Sequence, residues 1–162
     1  MTARRSTSRK QFDASGQTQP SSTVFFIDRC LGNHDVPQAL RNAGMLVEIH
    51  SDHFDQDTAD AVWIKEVGKR GWAIITKDRQ VTSRQIEVVA LLHSGQPTFV
   101  LTSRNVTSTE NIKSILAAKD EMLGCIRTIT PPFVATISAA GALSVILTQA
   151  QLMQKSTDPP PH

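Results

Sequence analysis

Two stretches of this chain obey one rule: an apolar strand that stops at an aspartate. Residues 23–28 read TVFFID and residues 72–78 read WAIITKD. Unbroken apolar character over a strand's length implies burial on both faces, and hence a central strand of a parallel sheet. In open α/β sheets, ligand chemistry collects outside the carboxyl ends of the strands. Asp28 and Asp78 stand at two such ends.

The rest of the chain supplies the alternation that a parallel sheet needs. Strand-like runs at 24–27, 46–49, 73–75 and 98–101 are separated by helix-like stretches. In the first of these, Val36, Leu40 and Ala43 recur at helical spacing, Pro37 suits a first turn, and Gly44 ends it. Asp57 is placed to cap a second helix through Arg70, with Ala61, Ile64, Val67 and Gly68 inward. A third helix is expected over 82–93, with Ile86, Val89 and Ala90 on one side. Thr107 and Glu110 carry the capping-box pattern ahead of a fourth, 108–123. After Pro131-Pro132, runs at 133–138 and 142–147 flank Gly141 and read as a β-hairpin beside the main sheet, with a single helix as the alternative. This order predicts an α/β fold in three α/β/α layers around a mainly parallel sheet, with a C-terminal hairpin at 130–148. The domain is expected over 23–150. Residues 1–22 read as a disordered basic tail and 151–162 as a second tail.

Composition narrows the function. A chain of 162 residues with 40% hydrophobic content builds one domain with a core. A net charge of +2 excludes a polycation, so any nucleic-acid surface is local. Cys30 and Cys125 make neither a CxxC pair nor a zinc spacing, and read as reduced thiols of a cytoplasmic protein. The apolar run at 133–147 is broken by Thr136, Ser138, Gly141 and Ser144, too short and polar to span a membrane, and no apolar core follows the basic N-terminus.

The chemistry lies in the carboxylates. Asp28, Asp78 and the pair Asp57 and Asp60 are expected on one edge of the sheet. Clustered carboxylates repel, so they call for a cation, and all-oxygen ligation suits Mg²⁺ or Mn²⁺. The reaction class that follows is phosphodiester hydrolysis. Asp57 is first of all a helix cap, whereas for Asp60 a first-turn role toward the helix dipole and a role in catalysis are equally supported. Arg29, Lys77, Arg79 and Arg84 surround the site in sequence and are candidates for substrate phosphate. His50 and His53 read as solvated loop residues. Ser103 and Asn105 follow the fourth strand on the same edge. A receiver-type phosphoacceptor lacks its later lysine here, and a haloacid-type phosphatase lacks Asp-x-Asp, since this chain has Asp28-Arg-Cys30.

The segments FFIDRCLG, VEIHSDHFDQDTADAVWIKEVGKRGWAIITKD and PTFVL together resemble the PIN-like domains of VapC-type toxins over residues 24–101. PPFVATIS resembles the tail of one PIN-like subgroup. The resemblance implies a Mg²⁺- or Mn²⁺-dependent endoribonuclease with RNA as substrate and an antitoxin protein as partner, and it allows a homodimer. It implies metal and catalytic roles for Asp28, Asp60 and Asp78. The T-x-D-x-D-F ending of the family is here Thr76-Lys-Asp78-Arg-Gln-Val, and no acid follows the fourth strand. A PIN-like binding module that acts through a protein partner is therefore the alternative.

Overall fold

The computed structural model describes residues 22–104 and 106–157. The reading of residues 1–21 as a tail, and any part for Asn105, fall outside the described residues.

The central strands send alternate side chains to opposite faces, and both faces are buried. In β1 (Val24–Ile27), Phe25 and Ile27 enter one core and Phe26 the other. The same split divides Ile75 from Ile74 in β3 (Ala73–Thr76), and Phe99 and Leu101 from Val100 in β4 (Thr98–Leu101). Full burial of each such side chain stabilises the fold by about 1.5–3 kcal/mol. With β2 (Leu46–Ile49), β5 (Val134–Ile137) and β6 (Leu143–Leu147), these form one six-stranded sheet in the order β2-β1-β3-β4-β5-β6. All pairs are parallel except β5–β6. The expected hairpin thus exists, but it extends the main sheet instead of packing beside it: β5 bonds directly to β4.

Helices cover both faces. α1 (Asp35–Asn42) and α4 (Ser108–Thr128) bury Leu40, Ile115, Ala118 and Met122 against the face carrying Phe25. α2 (Asp60–Lys69), α3 (Gln85–Ser94) and α5 (Gln149–Thr157) bury Trp63, Ile64, Val88, Leu91 and Leu152 against the face carrying Phe26. The capping box at Thr107 and Glu110 is formed in both directions. α5 replaces much of the expected second tail. Its Leu152 is fully buried, and that burial holds the segment on α3.

Two further expectations change. Asp57 does not cap α2. The cap position belongs to Ala59, and Asp57 lies exposed in the preceding turn. In α3 the buried side is Glu87, Val88, Ala90, Leu91 and Ser94, while Ile86 faces solvent. Gly68 sets how closely α2 and α3 approach: a Cβ there would lie 2.5 Å from Ser94 Cα.

Candidate metal centre

The strand order reverses between β1 and β3. β1 leads outward to β2, and β3 leads the other way to β4. A crevice opens at such a switch point, outside the carboxyl ends of the two strands. The register pairs Ile27 with Ile75, so the next residues, Asp28 and Thr76, meet at the mouth.

Asp28 is only 5% exposed. Its Oδ2 accepts from Thr76 Oγ1 at 2.7 Å and from Cys30 Sγ at 3.4 Å. Burial pushes its carboxyl above the ordinary range. The bonds from Thr76 and Cys30 oppose that, Asp60 adds to it, and Arg29 opposes it. The Cys30 thiol is pushed up to about 11, by burial first and then by Asp28. It is a neutral thiol here and no nucleophile.

Asp60, the first residue of α2, accepts at Oδ1 from Arg29 Nη2 (3.1 Å) and from Trp63 Nε1 (2.9 Å). Asp78 precedes a short 3-10 turn, Arg79–Thr82, and caps it by accepting at Oδ1 from the Gln80 amide (3.0 Å). That leaves its Oδ2 toward Arg84, at 3.8 Å. Together Asp28, Arg29, Cys30, Asp60, Lys77 and Asp78 line an open cleft of about 310 Å³.

A further carboxylate joins them. Glu87, in the first turn of α3, is 6% exposed. Its Oε2 pairs with Arg84 Nη1 at 3.2 Å, while its buried Oε1 has no hydrogen-bond partner. Burial raises its affinity for a proton, the Arg84 bond and charge lower it, and Asp60 and Asp78 raise it. Oxygen atoms of Asp60, Asp78 and Glu87 all lie within 4.8 Å of one another. Three converging carboxylates, one with an orphaned oxygen, form a hard, all-oxygen donor set that fits a divalent cation.

Of the sequence-derived acids, Asp28, Asp60 and Asp78 share the cleft, and Asp57 is not part of the cluster. Of the basic candidates, Arg29 and Arg84 are held by the acids. Lys77 and Arg79 are exposed and make no ion pair among the described residues. His50 corrects the sequence reading. It is buried (1% exposed) among Phe26, Phe54 and Trp63, and its Nε2 accepts from Arg29 Nη1 at 2.9 Å. Burial, and then the Arg29 charge, push its pKa down, so the ring is neutral and acts as a brace for Arg29. His53 is half-buried between Glu48 (2.6 Å) and Arg70 (2.9 Å). Ser103 is half-buried after β4.

A family model described as "PIN like domain" matches residues 23–103, half of the chain. The chain belongs to the PIN-like domain family. The matched part of this PIN-like chain runs from β1 through β4 and contains Asp28, Asp60, Asp78 and Glu87. The Mycobacterium tuberculosis protein named "Putative ribonuclease VapC45" is 25% identical over 125 residues, covering 75% of this chain and 90% of that protein. No solved structure matches the chain significantly. Among the described residues, no helix is long and apolar enough to cross a membrane.

Glu87 is the carboxylate of this cluster that the sequence pattern does not single out. The PIN-like pattern has its second acid two residues after Asp78, where this chain has Gln80. The available signal was a lone carboxylate inside QIEVVALLHS, a helix apolar enough on all sides that no solvent-facing stripe stands out.

Proposed function

We propose that this PIN-like chain is a Mg²⁺- or Mn²⁺-dependent endoribonuclease, the toxin of a toxin–antitoxin pair. The observation that carries the reading is the convergence of Asp60, Asp78 and Glu87 beside Asp28 at the switch point of the sheet. The name of the mycobacterial relative supports the choice of RNA as substrate.

Asp60, Asp78, Glu87 and Asp28 would hold the cation. A bound Mg²⁺ or Mn²⁺ supplies polarisation of a phosphate oxygen and a water of lowered pKa. Thr76 and Cys30 both donate to Asp28 Oδ2, which leaves Oδ1 as the oxygen that would face the cation. Arg29, braced by His50 and Asp60, presents a fixed guanidinium to a phosphate. Lys77 and Arg79, exposed beside the cleft, draw the RNA backbone in. Arg84 balances Asp78 and Glu87.

The test is cleavage of labelled single-stranded RNA by the full chain with Mg²⁺, Mn²⁺ or chelator, in wild type and Asp28→Asn. Metal-dependent cleavage that the variant loses supports the reading. RNA that stays intact at millimolar metal contradicts it.

A second reading, a binding module that works through a protein partner such as an antitoxin, is favoured by a groove between α2 and α3. Val62 (58% exposed) and Ile86 (67% exposed) border it, with Lys65 and Lys69 alongside. It is preferred if the chain binds metal and partner but leaves RNA whole.

A further inference from the structure

Arg29 borders two openings. One is the carboxylate cleft. The other is a pocket of about 160 Å³ lined by Arg29, Gly32, Asn33, His50, Ser51 and Gln56. Pockets for drug-sized ligands start at roughly 300 Å³, so this one suits a single small ring system.

We propose that this pocket is a base subsite, which takes one unstacked nucleobase of single-stranded RNA while the adjoining phosphate lies at the carboxylate cleft. The proposal rests on the ribonuclease reading and adds to it the origin of sequence preference.

The lining has the chemistry that base recognition needs. Asn33, Ser51 and Gln56 are exposed, and their side chains make no hydrogen bond among the described residues. Two free amides offer donors and acceptors at once, the pattern that reads a base edge. Single-stranded RNA is recognised in this way: bases splay out, stack on aromatic or guanidinium planes, and are bonded along their edges. Arg29 supplies such a plane, and it is held in place from both sides. Its Nη2 donates to Asp60 and its Nη1 to His50 Nε2. His50 is itself packed against Phe26, Phe54 and Trp63, so the brace is part of the core. Phosphate contacts position a nucleic acid and base contacts specify it. One arginine shared by the two openings couples these tasks at the scale of one nucleotide.

The test uses the full chain and two readouts. In the first, the four nucleoside 5′-monophosphates and ribose 5-phosphate are titrated while the side-chain amide resonances of Asn33 and Gln56 are followed by NMR. At least one monophosphate is expected to shift both, and ribose 5-phosphate neither. In the second, the doubly substituted chain, Asn33→Ala with Gln56→Ala, is expected to bind an oligoribonucleotide of the preferred base about tenfold more weakly. An abasic oligomer should bind wild type and variant alike. The proposal is overturned if no monophosphate shifts these amides, if ribose 5-phosphate shifts them equally, or if the double variant keeps wild-type discrimination. The two readings separate cleanly. Base-dependent binding without cleavage removes the nuclease and leaves the subsite, and cleavage blind to sequence does the reverse.

Discussion

Asp28 and Glu87 are the two least exposed acids of the cleft, and both are held above their ordinary values of 3.8 and 4.5, with burial as the first cause. A raised value means that the folded protein binds those protons more tightly than the unfolded chain does. The stabilising contribution is complete below the ordinary values and is lost as pH rises through the raised ones. In chelator, the melting temperature is therefore expected to fall, on account of these groups, as pH climbs from about 4 toward neutrality. Glu87→Gln should flatten part of that fall and raise the neutral-pH melting temperature by a few degrees, even though it gives up the pair with Arg84. Thermal melts of both chains from acid to neutral pH check this, and parallel slopes contradict it. Asp28→Asn is expected to keep the fold, because Thr76 can still donate to the amide oxygen, while it loses metal-dependent cleavage. If the variant unfolds, Asp28 is structural. Asp57→Asn should change neither stability nor metal binding, since the side chain is exposed in a turn and caps nothing.

At the level of elements, the chain announces its strands more plainly than its helix starts. The runs at 24–27, 46–49 and 98–101 are strands with those same bounds, because short, mainly apolar runs set between helix-like stretches fit the strands of a parallel sheet. The start of α2 was less legible. Asp57 is a strong capping residue by local preference, yet the chain spends it in a turn and lets Asp60 open the helix, where Arg29 and Trp63 fix it. That tertiary choice has no trace in local sequence. Glu87 and His50 were hidden for the opposite reason: polarity suggests solvent, and both are buried because the packing of α3 and the aromatic cluster around Phe26 enclose them. Asp60 and Glu87 sit on α2 and α3, so the spacing of these helices sets the cluster. Gly68→Ala places a methyl against the Ser94 backbone. The expected cost is about 1–3 kcal/mol in urea unfolding, with weaker cation binding than wild type. A variant with unchanged stability would mean that the helices separate freely.

For the molecule as a whole, the sheet carries the site at one end while α5, after the last strand, closes the layer beneath α3. Leu152 joins these regions through the core. Leu152→Ala is expected to cost about 2–5 kcal/mol, measured by denaturant unfolding, and a chain ending before α5 should lose at least as much. A change under half a kcal/mol would make α5 an appendage. The net charge of +2 leaves RNA attraction to local residues, so affinity should fall with salt and Lys77→Ala should shallow that dependence by about one contact. The proposed cleavage depends on one physical claim, that the convergent carboxylates hold a divalent cation. The most direct check is calorimetric titration of Mn²⁺ into the full chain and into Asp78→Asn, whose amide oxygen can still cap the turn at Gln80. The expected result is saturable binding in wild type at millimolar concentration or tighter, weakened at least about tenfold, or 1.4 kcal/mol, in the variant. No saturable binding in wild type, or equal binding in both chains, would contradict the claim.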